Sequence, residues 1–94
     1  MKAALLLRSR YALDETAFAE VVIWRVPAPV RGSPHEYKYS LALVVDGVCQ
    51  VRYDNESGKG AHRHVGGTET SCRFTTPARL LADFRRDIDE WRSR

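Results

Sequence analysis

Ninety-four residues make one small domain, with room for a single core and not for two. At 44% hydrophobic and 29% charged the chain is ordinary globular material, which excludes a disordered or low-complexity protein over most of its length. A net charge of +3 is too mild to identify a polyanionic partner by itself. The twelve arginines against three lysines equally fit a GC-rich coding bias.

In chain order, residues 3 to 12 alternate as a strand, with Ala3, Leu5, Leu7 and Tyr11 on one side and Arg8 and Arg10 on the other. The apolar run before Arg8 is too short for a secretory segment or a membrane span, so a cytoplasmic protein with no membrane partner is expected. Two cysteines, Cys49 and Cys72, fit a reduced chain better than a disulfide scaffold. Asp14-Glu15-Thr16 is a break of hairpin length, and Ala17 to Val26 reads as a central strand apolar on both sides. Pro27 to Pro34 holds three prolines and reads as a surface loop. The clearest strand is Tyr37 to Val45, followed by Asp46-Gly47, a pair favoured in type I′ hairpin turns, and a return strand over Val48 to Tyr53 with Cys49 packed inside. Cys72-Arg73-Phe74 is a candidate short strand. Thr76-Pro77 starts a helix, and Leu80, Leu81, Phe84, Ile88 and Trp91 form its apolar stripe. The expectation is an α+β domain spanning 1–94: a small antiparallel sheet of about four strands in two hairpins, with one C-terminal amphipathic helix on one face. The other face then needs a cover, and a homodimer or a dedicated partner would supply it.

Residues 53 to 66 are poor core material and good site material, with six Asp, Glu, Lys, Arg or His and three Gly among fourteen residues. If extended, residues 62 to 64 place His62 and His64 on one face and Arg63 on the other. Two imidazoles suit acid/base work on RNA, one taking the proton of a ribose 2′-hydroxyl and one protonating the leaving 5′-oxygen. Lys59, Arg63 and Arg52 would offset charge on the phosphate, with Lys38 added to the RNA-binding set. Gly58, Gly60 and Gly66 let backbone N–H groups approach an anion. Asp54 and Glu56 would orient the histidines. Gly-Lys-Gly is not a P-loop, since the Ser/Thr after lysine and the strand-to-helix context are missing. For a metal, two histidines are too few, and Asp54, Glu56 or His35 would have to complete the set, so no metal and no cofactor is assigned. Purely structural histidines, or phosphate binding without chemistry, remain the alternatives, and Cys72 as a nucleophile lacks any local motif.

Tyr-Lys-Tyr at 37–39, Arg-Tyr-Asp-Asn-Glu at 52–56, Gly-Lys-Gly at 58–60 and His-Arg-His at 62–64 resemble the TumE family of bacterial toxins. Ala-Glu-Val-Val-Ile-Trp at 19–24, Gly66, Glu69, Phe74 and the helical Leu-Leu-Ala-Asp-Phe extend the resemblance over nearly the whole chain. Ala61 stands where an acidic residue is common, and Ser71-Cys72 where Pro-Tyr is. The resemblance implies a toxin neutralised by a cognate antitoxin that carries a helix-turn-helix DNA-binding domain. Together with the residues it gives a working expectation of a metal-independent endoribonuclease. A non-catalytic RNA- or ribosome-binding toxin, and a metal-dependent nuclease using the histidine pair, are the alternatives.

Overall fold

The computed structural model describes residues 2–55, 58 and 60–93. It is an α+β structure whose antiparallel sheet has six strands, two more than expected. The strands are β1 (Ala4–Ala12), β2 (Ala17–Arg25), β3 (Tyr37–Val45), β4 (Val48–Asp54), β5 (His62–Val65) and β6 (Thr68–Ser71), followed by helix α1 (Pro77–Arg92). Strand order is β1-β2-β3-β4-β5-β6, a plain meander.

Turn chemistry sets the hairpins. Asp14 accepts hydrogen bonds from the Thr16 amide and hydroxyl, closing β1 onto β2. Asp46 and Gly47 both have positive φ, as the type I′ turn between β3 and β4 requires. Gly66, at φ +60°, begins the two-residue Gly66-Gly67 turn between β5 and β6. The added strands come from this last hairpin. Thr68–Ser71 is exposed throughout, so it has no apolar alternation to announce it, and Cys72-Arg73-Phe74 is not a strand.

The core lies on one face of the sheet. Ala19, Val21 and Ile23 of β2, Tyr39, Leu41 and Leu43 of β3, and Val51 and Tyr53 of β4 pack there with Leu80, Phe84 and Ile88 of α1. The helix begins at the expected place: Thr76 caps it by accepting from the Arg79 amide, and proline occupies the first turn. Leu81 and Trp91 are half-buried at the margins of the stripe. At about 25 cal/mol per Å² of apolar surface removed from water, this interlocked set is the dominant stabilising contribution.

The opposite face carries Phe18, Val22 and Trp24, all half-buried, and no element among the described residues covers it. Two irregularities redistribute residues between faces. A shift between Leu5 and Leu7 pairs Leu5 with Trp24 on the uncovered side while Leu7 pairs with Ile23 on the core side, so these two leucines do not share a face. A second shift pairs Val44 with Cys49 and Leu43 with Val51. Cys49 is therefore exposed on the uncovered face instead of packed inside.

Candidate functional site

Register builds the site. Ser40 of β3 pairs with Asp54 of β4, and Asp54 pairs with His62 of β5. Arg52 pairs with His64, and His64 with Glu69 of β6. Directly opposed residues in an antiparallel sheet point to the same side. Ser40, Arg52, Asp54, His62, His64 and Glu69 thus share the uncovered face. An open groove of about 660 Å³ runs over all of these but Glu69, also lined by Lys38, Tyr39, Cys49, Asn55 and Gly66, while Glu69 lines a neighbouring hollow with His62.

His62 is the fixed member of the pair, 5% exposed. Its Nδ1 lies 3.0 Å from the Gly60 carbonyl, which can only accept, so Nδ1 carries a proton. Its Nε2 lies 2.5 Å from Oδ1 of Asp54, which is buried and takes no hydrogen bond from the described residues. The other carboxylate oxygen takes Nε of Arg52 at 2.8 Å. His64 is half-buried, its ring edge-on to that of His62 with centroids 5.2 Å apart. Glu69 sits between them, Oε1 being 3.9 Å from Nε2 of His62 and 3.8 Å from Nε2 of His64.

Asp54, His62, His64, Arg52 and Lys38 lie together in the groove, and Asp54 supplies a carboxylate beside His62 where Ala61 offers none. Arg63 does not join them. It points to the helix side, where Nε and Nη2 grip the two oxygens of Asp87 at 2.7 and 2.9 Å, and the Tyr53 hydroxyl donates to the same carboxylate. Burial pushes the Asp87 carboxyl up, but the bonds from Arg63 and Tyr53 and the Arg63 charge outweigh it and hold the carboxyl below its usual range. Burial, then the bond to Asp87, raises the Tyr53 hydroxyl. The guanidinium expected to clamp phosphate is instead a tie between strand and helix.

The glycines also have other work. The Gly58 amide donates to the Arg31 carbonyl at 2.7 Å and the Gly66 amide to the Gln50 carbonyl at 2.8 Å, so neither is free for an anion. Gly60 is packed against the loop before β3: a Cβ there would stand 2.8 Å from the Gly32 carbonyl oxygen. Asn55 locks the same region, accepting from the Tyr39 amide and donating to the Tyr37 carbonyl and Ser33 hydroxyl. The proline-rich loop thus braces the segment that delivers His62.

His35 packs at a tilt against Phe74, 4.1 Å between ring centroids, and does not line the groove, so it completes no ligand set with the other histidines. Burial raises the Cys72 thiol, the wrong direction for a nucleophile. Glu56 and Lys59 lie outside the described residues. Glu69 is the site residue that sequence reasoning missed. Its signal was Gly66-Gly67, a two-residue turn that sets 69 across from 64.

A histidine pair, a buried carboxylate and two cations in one groove define a small α+β domain with a polar, charged site on its open sheet face. The chain belongs to the TumE toxin family, whose family model, described as "Toxin TumE", matches residues 2–92. No curated protein and no solved structure gives a match. At the level of the family, the chain is a toxin. Among the described residues no helix is long and apolar enough to cross a membrane.

Proposed function

We propose that this chain is the toxin of a bacterial toxin–antitoxin pair and that it cleaves RNA in the cytoplasm as a metal-independent endoribonuclease. The observation that carries the reading is the placement of His62 and His64, with Asp54, Arg52 and Lys38, in one groove on the uncovered face of the sheet. Two imidazoles this close can serve the oxygens on either side of one phosphorus. One removes the ribose 2′-hydroxyl proton as that oxygen attacks phosphorus; the other protonates the 5′-oxygen as its bond to phosphorus breaks, leaving a 2′,3′-cyclic phosphate. Asp54, braced by Arg52, orients His62. Lys38 and the half-exposed Arg52 stand where they offset charge on the phosphoryl oxygens, and Lys59 belongs to the same set by sequence. The cognate antitoxin, with its helix-turn-helix domain, is the partner this reading implies.

The test incubates purified protein with end-labelled RNA in excess EDTA. Cleavage to cyclic-phosphate ends is expected, falling by roughly 10²–10⁴-fold in His62→Ala and His64→Ala. In cells, His64→Ala or Lys59→Ala should abolish growth arrest. A second reading has a specific observation behind it. Arg8, Arg10, Lys38 and Arg52 share the uncovered face with Phe18 and Trp24, a pattern suited to holding RNA without cutting it. RNA retained on a filter but left intact, with retention falling steeply as salt rises, would favour that binder and remove the catalytic assignment.

A further inference from the structure

Three groups on the uncovered face have a geometry that acid/base chemistry alone does not require. One ligand atom each of His62, His64 and Glu69 lies within 4.8 Å of the other two. The two contacts of Glu69 Oε1, at 3.8 and 3.9 Å, make it nearly equidistant from both Nε2 atoms. A tetrahedral zinc-class ion, with bonds of about 2.0–2.2 Å, holds its ligand atoms roughly 3.4 Å apart. The Glu69 contacts need close by only a few tenths of an ångström. Glu69 and His64 have the freedom to do so, their side chains being 49% and 36% exposed. The backbone is already in register, because His64 and Glu69 are directly paired and His62 is two residues along the same strand.

Two further features suit a metal. Nδ1 of His62 donates to a backbone carbonyl, the outer contact that leaves Nε2 with a lone pair facing the groove. The buried Oδ1 of Asp54, which accepts no hydrogen bond among the described residues, stands against that same Nε2. An ion bound at Nε2 would also give that carboxylate oxygen a partner.

We propose that His62, His64 and Glu69 form a binding site for one divalent transition-metal ion of the zinc class, with an oxygen of Asp54 adjacent as a fourth donor. An ion so held occupies the lone pairs of both imidazoles. Where the site works by metal-free acid/base catalysis, as proposed above, the ion is then an inhibitor that withdraws the base and the acid together.

The test titrates the metal-stripped full chain with Zn²⁺ by calorimetry, without RNA, and repeats it with Co²⁺ to read the ligand type from the absorption spectrum. One equivalent of Zn²⁺ is expected, with a Co²⁺ spectrum lacking a thiolate charge-transfer band. Glu69→Gln, an isosteric change at an exposed position, should weaken binding at least tenfold. Cys49→Ser should leave it unchanged. Absence of saturable uptake, uptake indifferent to Glu69→Gln, or a thiolate band lost in Cys49→Ser overturns the site. Circular dichroism confirms that each variant remains folded. Binding is measured apart from cleavage, so the two readings fail separately. Zn²⁺ uptake with no effect on cleavage in EDTA-free buffer would retain the site and remove the acid/base roles, whereas cleavage without uptake would do the reverse.

Discussion

Replacing Asp87 by alanine removes the acceptor that joins β4, β5 and α1. Its side chain is 1% exposed, and it takes two bonds from Arg63 and one from Tyr53. Breaking one side of a buried ion pair costs about 3–5 kcal/mol. Arg63 keeps 32% of its side chain in water and recovers part of its hydration, which points to the lower end. The Tyr53 hydroxyl loses its acceptor, adding about 1 kcal/mol. A total loss of about 3–4 kcal/mol is a large share of the ~5–15 kcal/mol that holds such a domain together. At roughly 4–8 °C per kcal/mol for a domain of this size, the melting midpoint should fall by about 12–30 °C. Thermal and urea unfolding followed by circular dichroism measure it. Arg63→Ala should also be severe, because it strands a buried carboxylate, while the double change Arg63→Met with Asp87→Leu should regain most of the loss. A midpoint for Asp87→Ala within about 4 °C of the parent would show that the tie contributes little and that packing alone sets the helix.

Other outcomes follow from the same geometry. The Asp87 carboxyl is lowered in the folded state, so its contribution is complete above its ordinary value near 3.8 and is lost as pH falls through the lower folded value. Urea midpoints measured downward from pH 5 should show this acid loss, and Asp87→Asn should blunt it. Gly60→Ala, with φ +73° and a Cβ 2.8 Å from the Gly32 oxygen, should cost about 2–3 kcal/mol, against about 1 kcal/mol for Gly58→Ala, where φ is +88° and the space is open. Equal urea midpoints for the two glycine variants would contradict the packing of Gly60 on the loop. Asn55→Ala leaves the Tyr39 amide and Tyr37 carbonyl without their side-chain partner and should cost about 2–4 kcal/mol in the same assay.

Features encoded locally were legible in the sequence. Asp46-Gly47 and Thr76-Pro77 specify a turn and a helix start within two residues, and the α1 stripe repeats its period over the whole element. Alternation also put His62 and His64 on one face, where the structure has them. What the sequence hid depends on pairing. Strand β6 carries no apolar residue, so only its register with β5 defines it, and with it goes the placement of Glu69. Alternation separated Arg63 from the histidines but did not show that Asp87, twenty-four residues on, would be waiting on that side. Cys49 and Leu5 were put on the wrong face because each adjoins a shift in register, and one extra residue inverts the count. The proline-rich loop read as mere surface because its hold on Gly58 and Gly60 runs largely through backbone atoms.

The meander has a kinetic consequence. Each strand hydrogen-bonds only to its neighbours in sequence, so sheet formation closes short chain segments in turn and avoids the entropic delay of joining distant ones. Such wiring favours rapid assembly for a β-rich molecule. The histidine-bearing surface is drawn from four successive strands, β3 to β6, and its nucleation is therefore the work of adjacent hairpins rather than of contacts between the chain's far ends.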